Sequence, residues 1–257
     1  KKNKIFLIED CSQAHGAIYK GKKVGSFGDI STWSFCQDKI ISTGGEGGMI
    51  LTNNRQLWLK IWSLKEHGKN YKSVFYKKHK TGFRWLHDSL GSNYRMTEIQ
   101  AVIGRDQLKS LDKQIKKRNL IANLYINGLK DYYQKYDIIK KLNFECQTCP
   151  LKQDIKNCNK CVHAFYRLNL FISENKINQI KLIERFNKNK IECSIGSCPE
   201  IYREKIFKKS KIYLKTRLPT AKLLGETSIM FPINPYKSLA KIKSEINSVK
   251  RILNKYL

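Results

Sequence analysis

A four-residue run without a single polar side chain, Ile5-Phe6-Leu7-Ile8, stops abruptly at two carboxylates, Glu9 and Asp10. Wholly apolar runs this short suit a strand covered on both faces, as in a parallel sheet. Acidic residues at its end stand at the sheet edge where open α/β folds hold ligands. The run is therefore read as a buried parallel strand over 5–8. Two further strand patterns follow, "ISTWSF" at 30–35 and "MILT" at 49–52, the latter closed by the turn pair Asn53-Asn54. The turn-rich "YKGKKVGSFGD" at 19–29 joins the first two, and "RQLWLKIWSLKEHG" then has helical spacing with a glycine stop at Gly68. Strand and helix patterns alternate, which predicts an α/β first domain.

From Thr97 the period changes. Thr97 and Gln100 form a T-x-x-Q capping box, and Ile99, Val102, Ile103, Leu108, Leu111 and Ile115 recur at helical spacing towards Leu129. One long helix joining two domains accounts for this, with the division placed at 1–105 and 106–257. The second part carries an alternating strand at 163–172 ("HAFYRLNLFI"), an amphipathic helix around 176–189 and a last helix from Leu239 to Leu257, the pattern of a smaller α+β domain.

Composition narrows the class. With 257 residues and 41% apolar content the chain can bury real cores. No apolar stretch approaches the roughly 20 residues of a membrane span. The start lacks a leader's apolar core, so a cytoplasmic address and no membrane partner are expected. Fifty Lys and Arg against 21 Asp and Glu give a net charge of +29, yet only ten of the fifty are Arg. The lysines are spread along the chain rather than gathered in a stripe, which argues against a dedicated nucleic-acid surface.

Of eight cysteines, Cys146, Cys149, Cys158 and Cys161 read as C-x2-C, eight residues, C-x2-C. That is a tetrathiolate layout for a structural zinc, with free thiols and an iron–sulfur cluster as the other readings. The scattered Cys11, Cys36, Cys193 and Cys198 read as reduced thiols.

The pleat of "ISTWSF" sends Ile30, Thr32 and Ser34 to one face and Ser31, Trp33 and Phe35 to the other. Lys39 follows this strand at the ligand edge, five residues after Ser34 and just before a glycine-rich run. Glycines there let backbone approach a flat cofactor or make a tight turn. On position alone a surface lysine before a loop is the favoured reading.

The stretches "IEDCSQAHGAIYKGKKVGSFGDISTWSFCQDKIISTGGEGGMILT", "GFRWLHDSLGSNYRMTEIQAVIGRDQL", "GSCPEIYREKIF" and "LPTAKLLGETSIMF" together resemble the DegT/DnrJ/StrS family of nucleotide-sugar aminotransferases. Within it, "FCQDK" and "GFRWLH" resemble perosamine-synthase-like members. The resemblance implies a fold-type I pyridoxal-phosphate (PLP) transferase, with an α/β large domain of mostly parallel sheet and a smaller α+β domain. Family members begin well upstream of residue 1, so the large domain is expected to be incomplete, its remainder possible on a separately encoded N-terminal half.

Carried over by position, Lys39 is the Schiff-base lysine and proton shuttle. Asp10 faces the pyridine nitrogen, Gln13 lies near the ring hydroxyl and Ser34 holds the phosphate. Asn93 reaches a phosphate from the neighbouring subunit, which implies a homodimer. His15 is either near the cofactor or packed. The implied reaction moves an amino group from glutamate to a nucleotide-linked keto sugar, in surface polysaccharide, lipopolysaccharide or amino-sugar biosynthesis. A non-catalytic remnant or split half of such an enzyme, and a zinc-stabilised basic binding module, are the other functions the sequence allows.

Overall fold

The computed structural model describes residues 5–136, 139–140, 161–173, 176–209, 214 and 216–257, which divide into two compact units. The first holds the described residues up to Lys113 together with 161–164, and the second begins at Gln114.

In the first unit, β1 (Ile8–Asp10) is followed by a short ribbon of β2 (Ile18–Tyr19) and β3 (Lys22–Lys23), then β4 (Ile30–Ser34) and β5 (Gly48–Leu51). The main sheet has the order β1-β4-β5. The described part of the expected mostly parallel sheet is mixed: β4 pairs parallel with β1 and antiparallel with β5. Residues 35–47 form a loop without a crossover helix, and without one a chain returns antiparallel. The first strand also departs from its expected position and burial. It begins at Ile8, and Ile5 and Phe6 are each 74% exposed. Among the described residues β1 pairs with β4 alone, so nothing described covers its other edge.

After β5, Asn54 caps α1 (Arg55–Lys65), its side-chain oxygen accepting from the Gln56 and Leu57 N–H groups at 2.9 and 3.2 Å. Gly68 stops this helix as expected. It sits at φ +85°, its N–H donates to Ser63 O at 2.7 Å, and a Cβ there would lie 1.7 Å from the Ser89 carbonyl oxygen. A short α2 (Tyr71–Phe75) follows, with Trp58 and Trp62 edge-on to Tyr71.

The long helix α3 (Glu98–Gly128) starts at the predicted capping box. Gln100 N–H donates to Thr97 Oγ1 at 3.3 Å, and Thr97 N–H to Gln100 Oε1 at 2.9 Å. The apolar series predicted for its inner face divides. Ile115 is buried and Ile103 and Leu111 partly so, while Ile99, Val102 and Leu108 stay exposed. Helical period fixes a stripe but not what packs on it.

The second unit is an antiparallel sheet of order β6-β7-β8, built from β6 (Ile139–Lys140), β7 (Arg167–Ile172) and β8 (Ser228–Pro232). Its helices are the rest of α3, α4 (Lys130–Gln134), α5 (Gln179–Lys188), α6 (Pro219–Thr227) and α7 (Leu239–Leu253). Alternate residues Leu168, Leu170 and Ile172 of β7 are buried, as are Leu182 and Phe186 of α5 and Ile242, Ile246, Val249 and Leu253 of α7. These join Ile121, Ala122 and Tyr125 of α3 in one core, the two periodicities meeting face to face. The strand expected from His163 starts only at Arg167, because Phe165 takes a left-handed φ of +44°. Buried Arg118 satisfies that break, its Nη1 donating to the Phe165, Tyr166 and Ile233 carbonyls at 3.3, 3.4 and 2.7 Å. The last helix ends at Leu253 and runs into a 3-10 turn to Tyr256. No helix among the described residues is long and apolar enough to cross a membrane.

Candidate active site

The register of the first sheet sorts its side chains. Ile8 pairs with Ile30 and Asp10 with Thr32, while Thr32 and Ser34 pair with Ile50 and Gly48. Asp10, Thr32 and Ser34 therefore share one face, with Ser34 roughly 7 Å further along its strand than Thr32. Glu9, Ser31 and Trp33 share the other. On that second face His15 is buried against Trp33 and Phe35, ring centroids 5.3 and 5.9 Å away, so it is the packed histidine of the two readings.

At the end of β4 the chain turns back on itself. Lys39 N–H donates to Cys36 O at 3.0 Å, and Phe35 N–H to Gly47 O at 2.7 Å. Within this loop Ile40, Ile41 and Thr43 are buried. The loop is tied to α3 as well, Ser42 N–H donating to Gln107 Oε1 at 3.0 Å and Gln100 Nε2 to Glu46 O at 2.7 Å. Lys39 emerges with its side chain only 15% exposed, its Nζ 3.2 Å from Asp38 Oδ1.

Asp10 is prepared as a fixed negative charge. The Ser12 hydroxyl and the Ser12 N–H both donate to its Oδ1, at 2.5 and 3.0 Å. Those bonds, with the nearby charge of Lys39, outweigh partial burial and hold its carboxyl below the usual range. Next to it, burial pushes the Cys11 thiol up to about 11, helped by the charges of Glu9 and Asp10. That sulfur stays protonated and inert.

Such an arrangement offers an amine, a held carboxylate and a hydroxyl around one sheet edge, a setting for carbonyl chemistry through a Schiff base. Comparison with known proteins decides the family. Residues 1–250 match the DegT/DnrJ/EryC1/StrS aminotransferase family. The chain belongs to that family.

Among its relatives, the uncharacterized protein MJ1066 of Methanocaldococcus jannaschii is 33% identical over 255 residues, 97% of this chain and 60% of that protein. The GDP-perosamine synthase of Escherichia coli O157:H7 is 38% identical over 167 residues, 61% of this chain and 42% of that enzyme. The X-ray structure of the aminotransferase from Psychrobacter cryohalolentis superposes with a TM-score of 0.87 at 39% identity, covering 99% of this chain and 63% of that one. The chain thus spans about three fifths of the length of the first relatives it matches. Its fold is the family's fold-type I architecture.

Of the residues singled out by sequence for this family, Asp10 and Lys39 lie close enough for the lysine's charge to act on the carboxylate, and Ser34 lies on the same sheet face as Asp10. Gln13 follows Asp10 in the same turn and is exposed. Asn93 stands on the exposed return between α2 and α3, where it bridges Glu66 and accepts from Arg95 N–H at 3.4 Å. The zinc reading lies largely outside the described residues, since of its four cysteines only Cys161 is described. Among the described residues no cluster of three or more His, Cys, Asp or Glu is arranged to hold a metal.

Sequence reasoning missed the partners of these groups. Ser12, two residues after Asp10, makes an Asx turn, a pattern legible from the D-x-S spacing. Asp38, adjacent to Lys39, carried no signal beyond its charge.

Proposed function

We propose that this chain carries the catalytic lysine region of a PLP-dependent aminotransferase that moves an amino group, with glutamate as donor, onto the keto group of a nucleotide-linked sugar. The single observation that carries the reading is the placement of Lys39 at the end of β4, largely shielded and within reach of the charge of Asp10. The residues fit the cofactor. Lys39 would supply the amine, Asp10 an ionised carboxylate for the ring nitrogen, Ser34 a hydroxyl for the phosphate, and Gln13 a polar group for the ring hydroxyl.

PLP, when bound, supplies the electron sink. The protein's own part is to hold the ring, and to move one proton at a time with Lys39 Nζ. Asp38 Oδ1 stands 3.2 Å from that amine and helps to fix its position. The kinship with GDP-perosamine synthase supports a sugar-nucleotide acceptor and a place in surface-polysaccharide or amino-sugar synthesis.

A homodimer belongs to the same reading. Around Asn93 the side chains of Phe83, Trp85, Leu90 and Tyr94 are strongly exposed, Trp85 at 86%, as suits a return segment seated on a second copy. Asn93 would then reach the partner's phosphate site.

The test is reconstitution with PLP followed by borohydride reduction and peptide mapping. The expected result is cofactor fixed to Lys39, with the visible absorbance band and glutamate-dependent amination of a keto-sugar nucleotide both lost in Lys39→Ala. Labelling of another lysine would overturn the assignment, and labelling of Lys39 without any amination would mark a non-catalytic relative.

A further inference from the structure

The carboxylate preceding Asp10 has a separate task on the opposite face of β1. Glu9 Oε1 accepts from the Phe27 and Gly28 N–H groups at 2.7 and 2.6 Å, and Oε2 from Gly25 N–H at 2.8 Å. Three backbone donors thus converge on one side chain, a clamp between the strand and the glycine-rich turn. The turn is seated closely. Gly25 has φ +90°, and a Cβ there would come within 2.5 Å of the Trp33 ring. A second carboxylate reinforces the seat, Asp29 Oδ2 accepting from Leu7 N–H at 3.0 Å while Asp29 N–H donates to Leu7 O at 2.8 Å. Partial burial works to raise the Glu9 carboxyl, and the three N–H bonds outweigh it and keep it below its ordinary range.

The clamp matters because β1 is weakly held otherwise. It is three residues long and, among the described residues, pairs with β4 alone, with Cys11 N–H adding one bond to Thr32 O at 2.9 Å. A strand this short frays, and a one-residue slip would turn Asp10 to the wrong face. We propose that Glu9 is a positioning residue: by clamping the turn at Gly25, Phe27 and Gly28 onto β1 it fixes the register that puts Asp10 on the face of Ser34, near Lys39. The proposal rests on the reading of Asp10 as the cofactor-facing carboxylate, but its test needs no cofactor.

Two variants grade the effect. Glu9→Gln keeps an oxygen for Phe27 and Gly28 and turns an amide NH2 towards the Gly25 N–H, whereas Glu9→Ala removes all three acceptors. Amide hydrogen exchange at Gly25 is expected to quicken about tenfold in Glu9→Gln, and at all three amides in Glu9→Ala. The readout that a purely structural role would not move is the titration of the Asp10 carboxyl, followed by carbon NMR in the same variants. Asp10 is bonded to Ser12, faces Lys39 and has Cys11 and Glu9 as sequence neighbours. With β1 loosened, its Ser12 bonds weaken and its titration moves up towards the ordinary aspartate range, part way in Glu9→Gln and fully in Glu9→Ala. Should Glu9→Ala fail to fold, Glu9→Gln alone decides. Unchanged exchange at Gly25, or faster exchange with Asp10 titrating as in the parent, would overturn the proposal. A failure of the cofactor reading shows elsewhere, as an Asp10→Asn variant that turns over normally.

Discussion

Ser12 holds one oxygen of Asp10 twice, through its hydroxyl at 2.5 Å and its backbone N–H at 3.0 Å. Both bonds favour the ionised carboxylate, so the Asp10 pKa is lowered. Its charged form therefore persists to lower pH than that of an ordinary aspartate. Ser12→Ala deletes the shorter bond and lets the pKa rise. The acid limb of the kcat/KM profile is expected to move to higher pH, with the alkaline limb unchanged. Asp10→Asn, which has no charge to restore, is expected to lose about a hundredfold or more in kcat at every pH.

In the second unit, Glu200 gathers a comparable set of donors. Arg217, Tyr202 and Arg203 all bond its carboxylate, which is driven down to about 2, chiefly by the Arg217 bonds. A carboxyl with a depressed folded pKa contributes stability that is complete above its unfolded value and fades as pH falls through the folded one. The contribution is expected to be full above about pH 5 and to be lost progressively towards pH 2. Urea denaturation between pH 2 and 7 checks this: parent and Glu200→Gln curves should differ most at neutral pH and converge at the acid end.

The cysteine spacing makes a prediction of its own. Zinc held by Cys146, Cys149, Cys158 and Cys161 would close a loop whose last ligand adjoins Val162, itself bonded both ways to Ile18 at 2.8 and 2.9 Å. Metal analysis of protein purified without added zinc is expected to find one zinc per chain, absent in Cys149→Ser. Four freely titrating thiols and no metal would remove this reading.

Ile8 and Ile50 lie on one face of the first sheet, 65% and 46% exposed, beside the exposed Ile5 and Phe6. Apolar surface so exposed binds hydrophobic dyes and promotes association. Dye fluorescence and the concentration dependence of sedimentation are expected to fall together in Ile8→Lys with Ile50→Lys, while the circular dichroism of the second unit stays the same.

These comparisons show where sequence is a sufficient guide. The capping box at Thr97, the glycine stop at Gly68 and the alternation of Leu168, Leu170 and Ile172 depend on a few adjacent residues, and each is found as expected. Asp10, Ser34 and Lys39 were singled out through the family resemblance, and strand phase puts Asp10 and Ser34 on one face. What stayed hidden depends on partners far along the chain. The run 5–8 has a buried strand's composition, but burial is decided by what lies against it. The antiparallel return of β5 depends on the loop after Phe35, whose glycines permit several paths. Glu9 looked like one more acidic residue at a strand end, since the three N–H groups that give it a task lie 16 to 19 residues on.

The lysine loop takes its shape from α3: Ser42 is bonded to Gln107 and Glu46 to Gln100, partners 65 and 54 residues apart in the chain. Contacts of such long sequence separation close late, because the entropy of the intervening loop is lost before they form. The helix needs only its own cap and can form first. In a refolding reaction, protection at the Ser42 amide is therefore expected to appear only after that of the first turns of α3, which makes the surroundings of Lys39 among the last parts of the molecule to assemble.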